Sequence, residues 1–113
     1  MIFVAEVERS IAFYRHLGFE LGNTFTKPPA TEPTWAWLSS GNANLMLAAA
    51  SEEVVAEQQR ALFYIYTDDV AAARASLVEA GLNPGAIATP FYAPRGEFQL
   101  VDPDGYVVMV THT

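Results

Sequence analysis

The stretch between residues 95 and 110 constrains the fold of this chain more than any other part of the sequence. Two runs of apolar and β-branched residues flank the tetrad Asp102-Pro103-Asp104-Gly105. Proline presets φ for the second position of a type I turn and glycine accepts the positive φ that follows, so this tetrad predicts a hairpin with a G1 bulge. In that hairpin Asp102 pairs with Tyr106, and Gln99 lies opposite Met109.

The same register separates the side chains of the hairpin into two faces. One face is wholly apolar and carries Phe98, Leu100, Val108 and Val110. The other face is mixed and includes Glu97 and Gln99. We expect the apolar face to pack against a helix, whereas the mixed face could line a cavity.

Composition limits the class of protein. The chain has 113 residues, of which 51% are hydrophobic, and no cysteine; this predicts a single folded domain without disulfides, as expected in a reducing compartment. No apolar run approaches the roughly 18 residues of a membrane span and no basic leader precedes an apolar segment, so we expect a cytoplasmic protein. The net charge of −7 argues against nucleic acid as a partner and would favour cationic small molecules, unless it serves only solubility.

Two helices are predicted from apolar residues at helical spacing. The first spans residues 6–17, where Val7, Ile11 and Tyr14 recur at i, i+4 and i+7, and Gly18 ends it. The second begins after the cap at residues 68–69 and ends at Gly81. Its apolar stripe consists of Val70, Ala73, Leu77 and Val78.

Strands are predicted on both sides of each helix. They cover part of residues 1–5, then 19–27, 35–39, 44–49, 61–67, a weak strand at 84–92, and the two arms of the hairpin. The proline-rich segment 28–33 is a loop. Residues 51–60 form a short helix or a plain connection between the halves.

The two halves repeat one another. Acidic residues open the two helices and Gly18 and Gly81 close them, in both cases 63 residues apart. The chain is therefore one domain with module 1 at about residues 1–50, a linker at 51–60 and module 2 at about 61–113. A four-stranded sheet with one helix leaves its other face uncovered, so we expect an α+β fold in which two βαβββ modules pair their mixed sheets around a cavity.

The βαβββ repeat, the run Ser10-Ile11-Ala12-Phe13-Tyr14-Arg15-His16-Leu17-Gly18-Phe19 and the terminal Val101-Asp102-Pro103-Asp104-Gly105 together resemble the vicinal oxygen chelate superfamily. This superfamily groups glyoxalases, bleomycin-resistance proteins, fosfomycin-resistance enzymes and extradiol dioxygenases. The resemblance covers nearly the whole chain. The shared motifs serve helix packing and turns, so they specify the fold and say little about the chemistry.

The resemblance also implies where a metal ion would bind. In metal-dependent members each half supplies a His or Gln from its first strand and a Glu from its last strand. The corresponding positions here fall before Met1 and at Met46, Leu62 and Met109. Leucine and methionine are not ligands for a hard or borderline divalent ion, so we expect neither a metal nor another cofactor, and we assign no catalytic residue.

Aromatic side chains are the positive indication of a ligand. Tyr64 and Tyr66 share a strand face with Leu62 and should point into the cavity. Trp35 and Trp37 also share a face of their strand. The turn that follows has two or three residues, and its length decides whether this face meets the cavity or the helix. An aromatic concavity with a few polar groups is typical of a small-molecule site. The candidate ligand-binding residues are Trp35, Trp37, Asn44, Met46, Leu62, Tyr64, Tyr66, Glu97, Gln99 and Met109.

Some polar candidates also have structural explanations. Glu97 could lie at a solvated strand end, and Gln99, at a position that related enzymes use to contact substrate, could bond another core polar group. His16 suits the C-terminus of the first helix. His112, next to the end of the sequence, is expected to fray.

Three functions fit these observations. The leading hypothesis is a metal-free homodimer, closest in character to the bleomycin-resistance branch, that sequesters an amphipathic, aromatic or cationic small molecule such as an antibiotic. The second is a metal-dependent lyase or dioxygenase whose ligands lie outside the family positions, such as Glu97 with His112. The third is a dimerisation module without a ligand. None of the three involves nucleic acid or a membrane.

Overall fold

The computed structural model describes residues 1–59 and 61–112, which belong to two compact units, Met1–Val55 and Ala56–Thr113. Arg60, the last residue of the predicted linker, and Thr113 lie outside the described residues. No helix in the two described ranges is long and apolar enough to span a bilayer. In chain order the elements are β1 (Ile2–Val4), α1 (Val7–Arg15), β2 (Glu20–Phe25), β3 (Trp35–Ser40), β4 (Ala43–Ala49), a 3₁₀ turn (Ala56–Gln58), β5 (Leu62–Thr67), α2 (Val70–Glu79), β6 (Phe98–Val101) and β7 (Val107–His112).

Helix α1 covers one face of the four-stranded sheet of unit 1. The strand order is β1-β4-β3-β2, with β1 parallel to β4 and the other pairs antiparallel. As the spacing predicted, Val7, Ile11 and Tyr14 are buried along one side of α1, which packs on β2, β3 and β4. Ala36 and Leu38 of β3 are fully buried. Each large apolar side chain removed from water in this way stabilises the fold by about 1.5–3 kcal/mol.

Both helices end at the glycines that the sequence identified. Gly18 and Gly81 have φ angles of 93° and 89°. The N–H of Phe19 donates to the carbonyl of Tyr14 at 3.2 Å, and Leu82 makes the equivalent bond in unit 2. This pattern is a Schellman motif, in which glycine takes the left-handed conformation. The two units therefore contain the duplicated helix end that the 63-residue offset predicted.

Asp69 caps the N-terminus of α2, as expected. Its Oδ1 accepts the N–H of Ala72 at 3.0 Å. Val70 and Leu77 of the predicted stripe are buried, but Val78 is 49% exposed. Successive helical residues are rotated by about 100°, which takes Val78 off the line of Val70 and Leu77; the prediction that Val78 belongs to the core is therefore wrong.

Unit 2 contains a three-stranded sheet in the order β5-β7-β6, with β5 parallel and β6 antiparallel to β7. The strand predicted at residues 84–92 is wrong, because only Ala88 forms a bridge, with Glu97. A proline near each end of this segment cannot donate to a ladder, which limits the pairing. Both sheets nevertheless mix parallel and antiparallel pairs, which confirms the α+β class with two βαβββ-like modules.

The β6–β7 hairpin has the predicted register. Gln99 pairs with Met109, and the N–H of Asp102 donates to the carbonyl of Tyr106 at 2.8 Å. Asp102 is buried, and its Oδ1 accepts the N–H groups of Asp104 and Tyr106, both at 2.9 Å. A carboxylate thus reinforces the turn that Pro and Gly initiate. The apolar face is buried as predicted; it comprises Phe98, Leu100, Val108 and Val110.

Candidate ligand-binding site

The turn between β3 and β4 decides which face of unit 1 carries the tryptophans. It has two residues, Gly41 and Asn42, because the flanking strands pair without an extra residue. Gly41 has the positive φ, 58°, that short hairpin turns require. Trp37 consequently pairs with Met46. Both Trp35 and Trp37 alternate with the fully buried residues of β3, so they lie on the open face, away from α1.

The indole of Trp37 is held from two sides. Its Nε1–H donates to Oδ1 of Asn44 at 3.0 Å. A Cβ atom on Gly22 would lie 2.8 Å from the indole Cε3, so the ring crosses β2 where only glycine leaves room. Gly22 is not among the predicted site residues, although a glycine inside a predicted strand often marks such a close approach. Trp37 is therefore fixed in place while 37% of it stays exposed.

Two phenylalanines that are not among the predicted site residues extend the open face of unit 1. Phe25 pairs with Trp35, Trp35 with Ala48, and Ala48 with Phe3, so the four side chains form one row across the sheet. Phe3 and Phe25 are 53% and 59% exposed. Their alternation with core residues in the first and second strands is the signal that could have identified them.

The open face of unit 2 carries a second group of candidates. Leu62, Tyr64 and Tyr66 are about half exposed or more, at 51%, 48% and 61%. Tyr64 pairs with Met109, which pairs with Gln99 on its other side. The prediction that these side chains share one face is confirmed by the register. Gln99 is exposed on this face.

Glu97 is the buried acid of unit 2. It is only 5% exposed, so the expectation of a solvated strand end is wrong. Its Oε1 accepts the hydroxyl of Tyr92 at 2.9 Å, whereas its Oε2 has no hydrogen-bond partner among the described residues. The hydrogen bond to Glu97, followed by the charge of Glu97, raises the pKa of Tyr92 above its ordinary 10.0, and the nearby Tyr64 adds to this effect.

His112 is ordered, contrary to the expectation of fraying. It is the last residue of β7 and pairs with Thr67. Its Nε2 accepts the backbone N–H of Arg95 at 3.1 Å, and its Nδ1 lies 2.9 Å from Nη2 of the same residue. Glu97 immediately precedes β6, whose first residue, Phe98, pairs with Val110. Continued by one residue, this register places Glu97 level with Thr111, and His112, the next residue of β7, points to the other face. The geometry therefore gives no support to a metal site formed by Glu97 with His112.

The residues at the family metal positions do not fit a divalent ion. Met46, Leu62 and Met109 offer a thioether, an aliphatic group and a second thioether, whereas such ions take oxygen and imidazole ligands. Within residues 1–59 and 61–112, no three His, Asp or Glu side chains are grouped so that they could hold a metal ion.

Two surface depressions lie on the helix side of the unit 1 sheet, away from the tryptophans. The first, of about 400 Å³, is lined by Glu8, Ile11, Ala12, Arg15, Leu21, Thr24 and Pro33. The second surrounds Arg15 and residues 18–21. Neither is lined by a predicted site residue.

The predicted site residues thus form one group in each unit, and each group lies on the sheet face opposite the helix. The group of unit 1 consists of Trp35, Trp37, Asn44 and Met46. The group of unit 2 consists of Leu62, Tyr64, Tyr66, Glu97, Gln99 and Met109. Each group combines exposed apolar area with one or more polar side chains.

Several solved structures of antibiotic-resistance and antibiotic-binding proteins share this fold. The bleomycin resistance determinant encoded on the transposon Tn5 superposes with a TM-score of 0.75 at 19% identity, over 99% of this chain and 92% of that one. A bleomycin-binding protein complexed with bleomycin gives a TM-score of 0.76 at 19% identity, over 99% and 93% of the two chains. TnmS3, an antibiotic-binding protein from Streptomyces sp. CB03234, gives 0.67 at 22% identity, over 98% and 91%. At these identities the similarity establishes the fold alone.

Comparison with curated protein sequences gave no match. The sequence profile described as Glyoxalase/Bleomycin resistance protein/Dioxygenase superfamily, in contrast, matches residues 1–110. Because this match spans almost all of the 113 residues, the chain belongs to the glyoxalase/bleomycin resistance protein/dioxygenase superfamily.

Proposed function

We propose that this protein binds an amphipathic, aromatic small molecule on its open sheet faces and sequesters it without a metal ion. The observation that carries the proposal is the exposure of large apolar side chains around the positions where metal-dependent relatives have their ligands. Met46 and Leu62 occupy two such positions and are 40% and 51% exposed. Trp37 and Tyr64 lie beside them in the sheets.

The energetics favour contact with an aromatic ligand. A tryptophan or tyrosine side chain can bury 150–250 Å², so covering the exposed half of one contributes roughly 2–3 kcal/mol before the cost of association. Trp37 needs little further ordering, because Asn44 and Gly22 already fix its ring. Thioethers such as that of Met46 adapt to ligands of irregular shape.

Two further observations support an antibiotic-like ligand. The solved structures that share the fold include proteins described as binding bleomycin or another antibiotic. The net charge of −7 favours the approach of cationic compounds over anionic ones. We also expect a homodimer, which sedimentation at several protein concentrations would test independently of ligand binding.

The test is a calorimetric titration with bleomycin and with a panel of neutral and cationic aromatic antibiotics. Trp37→Ala should weaken the binding of a compound on the open face of unit 1, and Tyr64→Ala that of a compound on the open face of unit 2, each by about fivefold or more, because truncating a stacked aromatic removes about 1 kcal/mol or more of binding energy. Val78→Ala is the control, since it removes an exposed apolar side chain from α2, on the other side of the unit 2 sheet. Failure of every compound to bind at millimolar concentration would refute the proposal in favour of a ligand-free module.

A further inference from the structure

The carboxyl group of Glu97 has a vacant hydrogen-bonding position. We propose that Glu97 anchors a cationic N–H donor of the bound molecule, such as an amidinium, guanidinium or ammonium group. This inference rests on the proposed function and assigns the chemistry of one end of the ligand. All the residues that carry it belong to unit 2.

Oε2 of Glu97 is buried and unpartnered. A carboxylate has about four acceptor positions, and the described residues satisfy Glu97 only through the Tyr92 hydroxyl on Oε1. An orphaned buried acceptor is unfavourable, because desolvation is not offset by a new bond. A donor that reaches Oε2 would therefore gain more here than at a hydrated carboxylate.

A charged donor fits this position better than a neutral one. Any donor forms a charge-assisted hydrogen bond with a carboxylate, but a cationic donor adds a Coulomb attraction that is stronger at a desolvated position than in water. Glu97 forms no ion pair among the described residues, and Arg95, the nearest cation in sequence, is bound to His112. The surplus of acidic residues over the chain acts in the same direction.

Tyr92 is hydrogen-bonded to the carboxyl group of Glu97 through Oε1. It is 61% exposed, and the hydroxyl bond to Glu97 is its only described hydrogen bond. Its ring meets that of Phe91 edge to face, with centroids 5.4 Å apart, and Phe91 is 95% exposed. Rotation of the Tyr92 side chain breaks this hydrogen bond and frees Oε1 as a second acceptor beside Oε2, and the released ring can then flank the cation.

A bound water is the competing occupant of Oε2. Water would satisfy the acceptor without any preference for a cationic ligand. The two possibilities differ in one measurable respect, which is whether binding depends on the positive charge of the ligand and on the negative charge of Glu97.

Benzamidine and benzamide separate these cases, because they have the same shape and differ in charge. Their affinities are measured by NMR titration of isotope-labelled protein for the wild type, Glu97→Gln and Glu79→Gln. The last variant removes an exposed charge at the end of α2 and controls for net charge. We expect benzamidine to bind the wild type and Glu79→Gln about 10- to 100-fold more tightly than benzamide, and Glu97→Gln to lose this preference.

A second measurement needs no substitution at Glu97 and decides the question if Glu97→Gln does not fold. The ionisation of Tyr92 is followed by NMR of isotope-labelled tyrosine, with Tyr92→Phe identifying the signal. A cation on Oε2 offsets the charge of Glu97, so benzamidine should lower the raised pKa of Tyr92 towards 10.0, whereas benzamide should not.

Equal affinities for the two probes, a preference retained in Glu97→Gln, or an unmoved Tyr92 would each overturn the inference. Those results leave the proposed function intact, because a neutral aromatic compound would still bind. Binding of an antibiotic from the panel without binding of benzamidine would also overturn the inference alone. If no compound binds at all, the proposed function fails and the inference fails with it.

Discussion

Gly105 closes the β6–β7 hairpin, and its replacement by alanine should destabilise unit 2. Gly105 has a φ of 91°, and a Cβ atom there would lie 2.5 Å from the carbonyl oxygen of Ala56 and 2.6 Å from its Cα. The left-handed conformation costs a non-glycine residue about 1–2 kcal/mol. Displacing the backbone around residue 56 adds about 1–3 kcal/mol. We therefore expect Gly105→Ala to lower the free energy of unfolding by about 2–5 kcal/mol, measured by urea denaturation with circular dichroism.

Gly81→Ala is the matched control for this experiment. Gly81 has a nearly identical φ of 89°, but nothing lies within 4 Å of the position that an alanine methyl group would take there. It should therefore show only the conformational cost of about 1–2 kcal/mol. Equal losses in the two variants would refute the argument that contact with Ala56 requires glycine at residue 105.

Three further substitutions test single contacts. Glu97 raises the pKa of Tyr92 above 10.0 in the folded state, so their interaction stabilises the fold below pH 10 and is lost as the pH rises through the folded-state pKa. The unfolding free energy of the wild type should therefore fall more steeply above pH 10 than that of Tyr92→Phe. Parallel curves of unfolding free energy against pH would contradict this. Asn44→Ala removes the acceptor of the Trp37 indole N–H, so we expect the free energy of unfolding to fall by about 0.5–1.5 kcal/mol and the tryptophan fluorescence to change. An unaltered emission spectrum would exclude an ordered hydrogen bond. Asp69→Ala removes the N-terminal cap of α2 and should lower the free energy of unfolding by about 0.5–2 kcal/mol, measured by thermal or urea denaturation. An unchanged midpoint would show that the cap contributes nothing to stability.

The parts of the fold that were predictable from sequence are those that local chemistry determines. The hairpin register followed from Pro103 and Gly105, because proline fixes φ at the second position of the turn and glycine accepts the positive φ that ends it. The helix ends at Gly18 and Gly81 followed from the same property of glycine. The face of Trp37 could not be predicted, because it depended on whether one more residue joined the following turn.

The predictions that were wrong concern residues whose structure depends on tertiary contacts. Residues 84–92 have the composition of a strand, but pairing requires donors in register, and only Ala88 supplies both backbone groups of a bridge to Glu97. The burial of Glu97 depends on surrounding residues, including Tyr92, which lies in a turn and donates its hydroxyl to Glu97. His112 was expected to fray because of its place in the chain, yet contact with Arg95 holds it in β7. None of these contacts has a periodic signal in the sequence.

The residues at the family metal positions determine how selectivity would arise on the proposed site. Thioether and aliphatic groups, such as those of Met109 and Leu62 in unit 2, cannot orient a ligand by coordination, but they supply contact area that adapts to many shapes. Orientation must then come from the few polar groups, of which Glu97 is the buried one. Loss of an aromatic residue such as Tyr64 should therefore weaken all ligands to a similar degree, whereas loss of the Glu97 charge should change which ligand is preferred. This separation of affinity from preference distinguishes the proposed site from a metal-centred one, in which removal of a single ligand affects both together.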